Sequence, residues 1–228
     1  DDTIAPSIEC IDNQTVFVDD NCLYMLPDYT TASIVDDNCG VMTVEQSMAA
    51  GTEISLGSYD ITVTATDADG NATSCTFTVD VLDNTPPVIT CPEDQVEEFD
   101  TDCAFTLIDY TGLLSANDNC SDVTISQFPP VGTLVTENTT VTLFANDAYG
   151  NESSCSFTVI LEDTIDPEIT CSESIEVFND TEVCGAMIEY DAPVATDNCT
   201  VASVVMTEGL ASGEIFPVGV TTVTYEVT

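Results

Sequence analysis

The 228-residue sequence contains no lysine, no arginine and no histidine against 42 aspartate and glutamate residues, so its formal net charge at pH 7 is −42. Each absence removes a class of chemistry. Without histidine there is no catalytic triad of the usual kind and no imidazole metal site. Without lysine no Schiff base can form, nor can a lysine–asparagine isopeptide link. Without either cationic residue there is no phosphate clamp and no side-chain ion pair anywhere in the chain. The uniform negative sign disfavours nucleic-acid phosphate and anionic lipid. No apolar run is long enough to span a bilayer, which takes about 18 residues, so no direct membrane insertion is expected. A paired-carboxylate glycosidase stays formally open. However, the acidic residues recur at the same phase along the chain, which suits a structural role better than a single active site, and no enzyme is expected.

What remains has an ordinary globular composition, 43% hydrophobic, so the acidity is not that of a disordered chain. Its self-repulsion has to be offset by salt, by bound cations or by spreading the charge along a rod. Eleven cysteines fit an oxidising compartment and predict a secreted or cell-surface location. They fall into register as Cys10, Cys22, Cys39 and Cys75, then Cys91, Cys103, Cys120 and Cys155, then Cys171, Cys184 and Cys199. The stretch Asp67-Ala68-Asp69-Gly70-Asn71 ahead of Cys75 returns as Asp147-Ala148-Tyr149-Gly150-Asn151 ahead of Cys155. Three repeats are therefore predicted, over 1–82, 83–162 and 163–228, the third lacking its last strand. The odd cysteine count is expected to reflect a further cysteine beyond Thr228 rather than a reactive thiol. No signal-peptide pattern is visible. The opening at Asp1 and Asp2 stands in phase with the later junctions, so the chain is expected to come from inside a longer secreted protein.

Between the cysteines the pattern has period two. Ile61, Val63 and Ala65 alternate with Thr62, Thr64 and Thr66; Val141, Leu143 and Ala145 with Thr140, Thr142 and Asn146; and Val223, Tyr225 and Val227 with Thr222, Thr224 and Glu226. Cys75, Phe77, Val79 and Val81 share one face of the following segment, matched by Cys155, Phe157, Val159 and Leu161. β-Branched inner faces and threonine-rich outer faces suit half-buried strands. About seven short strands per repeat predict an all-β fold of tandem immunoglobulin-like, or fibronectin-like, β-sandwiches in an elongated array.

Four motifs together resemble the hyalin repeat, or HYR, domain: Thr-Pro-Pro-x-Ile-x-Cys-Pro from Thr85 to Pro92; Asp-Asn-Cys at Cys39, Cys120 and Cys199; the run from Phe216 to Tyr225; and Gly-Asn-x-x-x-Cys-x-Phe-x-Val at Gly70 and Gly150. The match covers the whole chain. The third repeat departs from it in lacking the Gly-Asn element, and Ile11 and Ser172 stand where the second repeat has Pro92. The resemblance implies extracellular adhesion modules. Four-cysteine, lysine-poor arrays of this kind are similar to the repeat regions of Bacteroidota cell-surface and gliding-motility adhesins. Sandwich topology taken over from the family implies the pairs Cys10–Cys22, Cys39–Cys75, Cys91–Cys103, Cys120–Cys155 and Cys171–Cys184, with Cys199 joined to a cysteine beyond Thr228.

The same topology implies that one pole of each sandwich gathers three acidic segments. In the first repeat these hold Asp1 and Asp2, then Asp36, Asp37 and Asn38, then Asp67, Asp69 and Asn71. In the second they hold Asp83, then Asp118 and Asn119, then Asp147 and Asn151. In the third they hold Asp163 and Asp166, then Asp197 and Asn198. The opposite pole carries Asp19 and Asp20, Asp100 and Asp102, or Asp180 and Glu182, and is expected to face the next junction. Two readings stand side by side. One is Ca²⁺, which takes six to eight oxygen ligands and finds them in clustered Asp and Asn. The other is turn chemistry, since Asp, Asn and Gly are the ordinary residues of tight turns, with diffuse counterions outside. No EF-hand loop is present. In function the repeats read as stalk modules of a long adhesin whose partners are neighbouring repeats. The alternatives are modules that bind a surface glycan or protein through their pole loops, or accessory domains of a secreted enzyme.

Overall fold

The computed structural model describes residues 2–228, and among them the only helical element is one 3₁₀ turn at Thr111–Leu113. All other regular structure is strand. In the first repeat a four-stranded sheet runs in the order Gln14–Phe17, Ala72–Leu82, Gly57–Asp67, Val41–Gln46. Two short antiparallel pairs complete the repeat, Ser7–Glu9 with Ile34–Asp36 and Tyr24–Met25 with Glu53–Ile54. The core lies between the two layers. Ile61, Val63, Phe77, Val79 and Val81 of the sheet pack with Leu26, Tyr29 and Ile54 of the facing layer, and the Tyr29 ring meets Phe77 edge-on at 5.0 Å. Each such burial stabilises the fold by about 1.5–3 kcal/mol.

The outer face shows what a strand does without cations. Long antiparallel pairs are commonly laced by opposite charges across the strands. Here hydroxyls take that place: Thr62 pairs with Thr76 at 3.0 Å and Thr64 with Ser74 at 2.8 Å, each across the register of Gly57–Asp67 on Ala72–Leu82. Thr142 and Ser156 repeat the device at 2.8 Å in the second repeat. A carboxylate on the same face, Asp60, accepts from the Thr78 hydroxyl at 3.1 Å.

The second repeat follows the same plan, with sheet order Gln95–Glu98, Glu152–Glu162, Thr139–Asn146, Thr124–Phe128. Val141, Leu143, Ala145, Phe157, Val159 and Leu161 are its buried alternating positions. Pro129, just past the edge strand and joined to Phe128 by a cis peptide, sits where no central ladder needs its missing N–H. In the third repeat three two-stranded pairs are present among the described residues, including Val204–Glu208 on Thr224–Val227, and its buried apolar residues are Ala186 and Phe216. By its contacts the chain divides into two compact units. One comprises Asp1–Cys91, Tyr110–Ser126 and Leu143–Cys155; the other comprises Pro92–Asp109, Gln127–Thr142 and Ser156–Thr228. Each unit therefore draws residues from two repeats.

The disulfides overturn the pairing implied by sandwich topology. Cys10 is bonded to Cys75, Cys91 to Cys155, Cys22 to Cys120 and Cys103 to Cys199. Cys39, Cys171 and Cys184 are exposed thiols. Hence Cys10–Cys22, Cys39–Cys75, Cys91–Cys103, Cys120–Cys155 and Cys171–Cys184 are not formed, and Cys199 has its partner within the chain. The cause is a split first strand. Ser7–Glu9 pairs in one layer, the chain crosses at Cys10, and Gln14–Phe17 then runs parallel to the last strand with Gln14 opposite Val79 and Phe17 opposite Leu82. Travelling in the same direction as Ala72–Leu82, it leaves Cys10 beside Cys75, Cα to Cα 5.8 Å. It carries Cys22 to the far end, where the last strand exits. The first and second cysteines thus sit at opposite poles, not at one.

Each bond within a repeat closes a long loop, with separations of 65 and 64 residues, for which the chain-entropy model gives roughly 4 kcal/mol. Replacing Cys10 and Cys75 together by alanine is expected to lower the stability of the first repeat by about that amount in chemical denaturation. Non-reducing maps made with an acid-residue protease should return the Cys10–Cys75 peptide; a Cys10–Cys22 peptide would restore the discarded pairing.

Candidate functional site

The two complete acidic poles are built alike, and both lie in the first compact unit. Three chain segments make each: the incoming junction, the Asp-Asn-Cys loop and the hairpin turn. The hairpin is closed by its own aspartate. Asp67 Oδ1 accepts the Asn71 N–H at 2.8 Å and Oδ2 accepts the Asn71 side-chain amide at 2.8 Å, while Gly70 supplies the left-handed residue at φ 89°. Asp147 does the same for Asn151 at 2.8 and 2.6 Å, with Gly150 at φ 94°. The asparagine side chain then reaches the junction, as Asn71 Nδ2 donates to the Asp2 carbonyl at 3.0 Å and Asn151 Nδ2 to the Asp83 carbonyl at 3.4 Å. The junction aspartates fold their own turns, with Asp2 Oδ1 accepting from Ile4 N–H at 3.0 Å and Asp83 Oδ1 from Thr85 N–H at 2.9 Å.

The third segment is pinned by the aspartate ahead of the cysteine. Asp37 Oδ2 accepts the Cys39 N–H at 2.9 Å; Asp118 Oδ1 accepts those of Cys120 and Ser121 at 2.9 and 3.0 Å. As a result one carboxylate oxygen from each of Asp2, Asp37 and Asp67 lies within 4.8 Å of the others, and so for Asp83, Asp118 and Asp147. Asp67 and Asp83 are the buried members, 4% and 7% exposed. Not every oxygen is satisfied. Asp37 Oδ1, Asp83 Oδ2 and Asp118 Oδ2 are buried with no hydrogen-bond partner, as are the side-chain carbonyls of Asn119 and Asn198.

Of the remaining candidates, Asp36 lies in a strand with its side chain exposed, and only its carbonyl is used, by Ser7 Oγ at 3.0 Å. Asp69 is exposed and accepts the Asp2 N–H at 3.1 Å. Asp1 lies outside the described residues. In the third repeat Asp163 and Asp166 are exposed, with Asp163 Oδ1 on the Ile165 N–H at 3.2 Å, and Asp197 Oδ1 accepts from Cys199 N–H at 2.8 Å. Among the described residues these do not form a third carboxylate trio, since none of them is a counterpart of Asp67 or Asp147. What the sequence did not reveal is the use made of the opposite pole. Asn119 Nδ2 donates to the Asp19 carbonyl at 3.1 Å and Asn198 Nδ2 to that of Asp100 at 3.0 Å, each beside an inter-repeat disulfide. The recurrence of Asp three residues ahead of Cys22 and Cys103 was the one visible signal.

The electrostatics follow from the hydrogen bonds. Asp67 is held below the usual carboxylate value, first by the Asn71 side chain and then by neighbouring N–H groups, against partial burial. For Asp147 burial is the largest influence and pushes upward, but the Asn151 side chain and the N–H groups of Asn151, Tyr149 and Gly150 outweigh it. Asp2 is lowered chiefly by the Ile4 N–H, and its carboxylate in turn accepts from the Cys39 thiol, which raises that thiol. A carboxylate lowered on folding contributes stability above its unfolded pKa and loses it as pH falls through the folded value. In chelator, Asp67→Asn with Asp147→Asn is therefore expected to melt below the native chain at neutral pH. The gap should stay constant down to about pH 5 and close in the acid range below the usual carboxylate pKa of about 4. A gap that widens on acidification would show that charge repulsion, not hydrogen bonding, governs these turns.

Comparison with known proteins gives a family. The HYR domain model matches residues 1–81, 82–161 and 162–228. The hyalin of Strongylocentrotus purpuratus is 30% identical over 243 aligned positions, covering 100% of this chain and 20% of that protein. The hyalin of Lytechinus variegatus is 29% identical, covering 86% of this chain and 38% of that protein. This chain thus spans well under half of either relative. Solved structures that align with it include protocadherin gamma B7 extracellular cadherin domains 1-4, at 14% identity and a TM-score of 0.35 over 98% of this chain and 75% of that one. Mouse cadherin-23 EC22-24 aligns at 16% identity and a TM-score of 0.37, over 85% and 78%. Those likenesses are loose, and the all-β fold rests on the strands themselves.

Proposed function

The chain belongs to the HYR domain family, and on that footing we propose that its repeats, bounded at 1–82, 83–162 and 163–228, are structural modules of a long secreted or cell-surface adhesion protein. They serve as stalk segments braced by disulfides and stiffened at the repeat junctions by Ca²⁺. A non-enzymatic role accords with a chain that has no histidine, lysine or arginine. An extracellular location accords with its four disulfides. No helix is long and apolar enough to cross a membrane among the described residues. A Bacteroidota surface adhesin is the finer assignment. It rests on the lysine-poor four-cysteine pattern alone, because the matched relatives named above are hyalins.

The observation that carries the calcium reading is Asp83. It is buried, its Oδ2 has no partner, and it lies with Asp118 and Asp147 in a cluster that offers only oxygen. Three like-charged carboxylates with no cationic side chain in the sequence favour a bound cation. The donor set, carboxylate and amide oxygen with nothing softer, fits a hard ion such as Ca²⁺. Asp83, Asp118, Asp147 and the Asn119 carbonyl are the second-repeat ligands under this reading, with Asp2, Asp37 and Asp67 their first-repeat counterparts. Asp163, Asp197 and Asn198 are the proposed start of a third. When bound, the ion would supply the positive charge that lets junction, loop and turn stay together.

Melting in millimolar Ca²⁺ against chelator tests this directly. An ion that binds only the folded state adds about 2.7 kcal/mol once its free concentration is a hundred times its dissociation constant. The native chain is expected to melt higher in Ca²⁺, and Asp83→Asn with Asp118→Asn should remove the second-repeat share of that rise while the first-repeat trio keeps its own. Equal melting of the native chain in both conditions sinks the calcium reading while leaving the structural role in place.

A further inference from the structure

Three thiols are left over, and two of them match halves of a bond the chain already makes twice. In Cys22–Cys120 and Cys103–Cys199 the second cysteine of one repeat joins the third cysteine of the next, with Cα atoms 5.1 and 4.8 Å apart. Both staples carry the same supporting hydrogen bond. The asparagine just before the third cysteine donates to the carbonyl of the aspartate three residues before the second cysteine, at 3.1 Å for Asn119 on Asp19 and 3.0 Å for Asn198 on Asp100. That aspartate also closes its own turn on the cysteine N–H, at 2.9 Å for Cys22 and 3.1 Å for Cys103.

Cys39 is a third-position cysteine in the same pose. Its N–H is held by Asp37 at 2.9 Å, as Cys120 is by Asp118 and Cys199 by Asp197. Yet its staple is not made, and Asn38 Nδ2, which elsewhere would reach a carbonyl of another repeat, turns instead to Asp2 Oδ2 at 3.1 Å. Cys184 is a second-position cysteine. Asp180 accepts the Val183 N–H at 3.2 Å and donates its own N–H to the Gly185 carbonyl at 2.8 Å, as Asp19 does to Leu23 and Asp100 to Ala104 at 2.7 Å. Its turn is one residue longer, but the residue ahead of the accepting carbonyl is again the cysteine. Both thiols are exposed.

We propose that Cys39 and Cys184 are complementary covalent docking points for other repeats of this family, Cys39 taking a second-position cysteine and Cys184 a third-position one. The partner is recognised by its chemistry: a thiol on an Asp-led turn for Cys39, and an Asp-Asn-Cys loop for Cys184. A further repeat of the same polypeptide and a second copy of this chain present identical groups. The reaction needs a disulfide oxidant such as oxidised glutathione. One thiolate attacks it and releases one glutathione thiolate; the second thiolate attacks the mixed disulfide and releases the other. Two protein thiols are oxidised and one small disulfide is reduced to two thiols. The inference rests on the two staples already present and not on the calcium reading.

The chain itself supplies the test, with Cys171→Ser to leave only the two thiols in question. In an alkaline glutathione redox buffer, covalent multimers are expected on a non-reducing gel, and mapping should find Cys39 joined to Cys184 of another copy. Adding Cys39→Ser or Cys184→Ser should leave each variant monomeric alone, while an equal mixture of the two should give a dimer and nothing longer. This second-copy arm is separated from an in-chain source by repeating the map on a polypeptide extended by one repeat at either end, where the bond should form at any dilution. Persistent monomer in all mixtures, a bond between Cys39 and Cys184 of one copy, or symmetric Cys39–Cys39 and Cys184–Cys184 dimers in equal yield would overturn the proposal. In the unsubstituted chain the same buffer should also yield a Cys39–Cys184 peptide between copies, and its absence there would count against the proposal without relying on any variant.

Discussion

Every carboxylate that this fold draws inward has to be answered by something other than a positive side chain. That constraint governs the poles and the strand faces alike. On the sheet, hydroxyl pairs stand where ion pairs usually do, and Asp60 takes a threonine hydroxyl. At the ends of the sheet, backbone N–H groups and asparagine amides do the work. Asp19 holds the N–H groups of Asn21 and Leu23, Asp118 those of Cys120 and Ser121, and Asp67 both donors of Asn71. Donors on the main chain cannot swing away as a lysine can, so each carboxylate that uses them also fixes a turn. The supply ends at Asp37, Asp83 and Asp118, each with one buried oxygen unanswered. Those oxygens all fall at the same kind of place, where a junction, a loop and a hairpin converge.

Much of the fold could be read from period-two alternation. Ile61, Val63 and Ala65 are fully buried, as are Val141, Leu143 and Ala145, because a strand with one solvated face can place such residues only on the other. The convergence of Asp83, Asp118 and Asp147 was foreseeable from the family's topology, and local signals supported it: Gly150 marks the hairpin and the Asp-Asn-Cys triplet marks the loop. Alternation says nothing about direction, however. Gln14–Phe17 reads equally well as a partner for several strands, and only its parallel seat on Ala72–Leu82 decides which cysteine Cys10 meets.

The inter-repeat bonds were harder still to anticipate. Cys22 and Cys120 are separated by 98 residues, and their meeting depends on how the end of one repeat abuts the start of the next. Local pattern carries no such information. Cys22 and Cys103 also occupy left-handed backbone, at φ 60° and 53°, a conformation uncommon for residues with a Cβ, imposed by the tight turn closed on Asp19 or Asp100. The same bonds go with compact units that each draw on two repeats, so the period of the sequence and the grouping of contacts are different things in this chain.

Because the two staples overlap in sequence, they change how the chain would carry a pull. Tension entering before Cys22 passes through sulfur to Cys120, runs backward along the backbone to Cys103, and crosses by the second bond to Cys199. The covalent path under tension therefore skips most of all three repeats. Even with every strand pair sheared open, the stretch from 22 to 199 could lengthen only to the span of 103–120, at about 3.5 Å per residue, plus two disulfides. The reach of such a tether would be capped by covalent bonds even after its domains had unfolded.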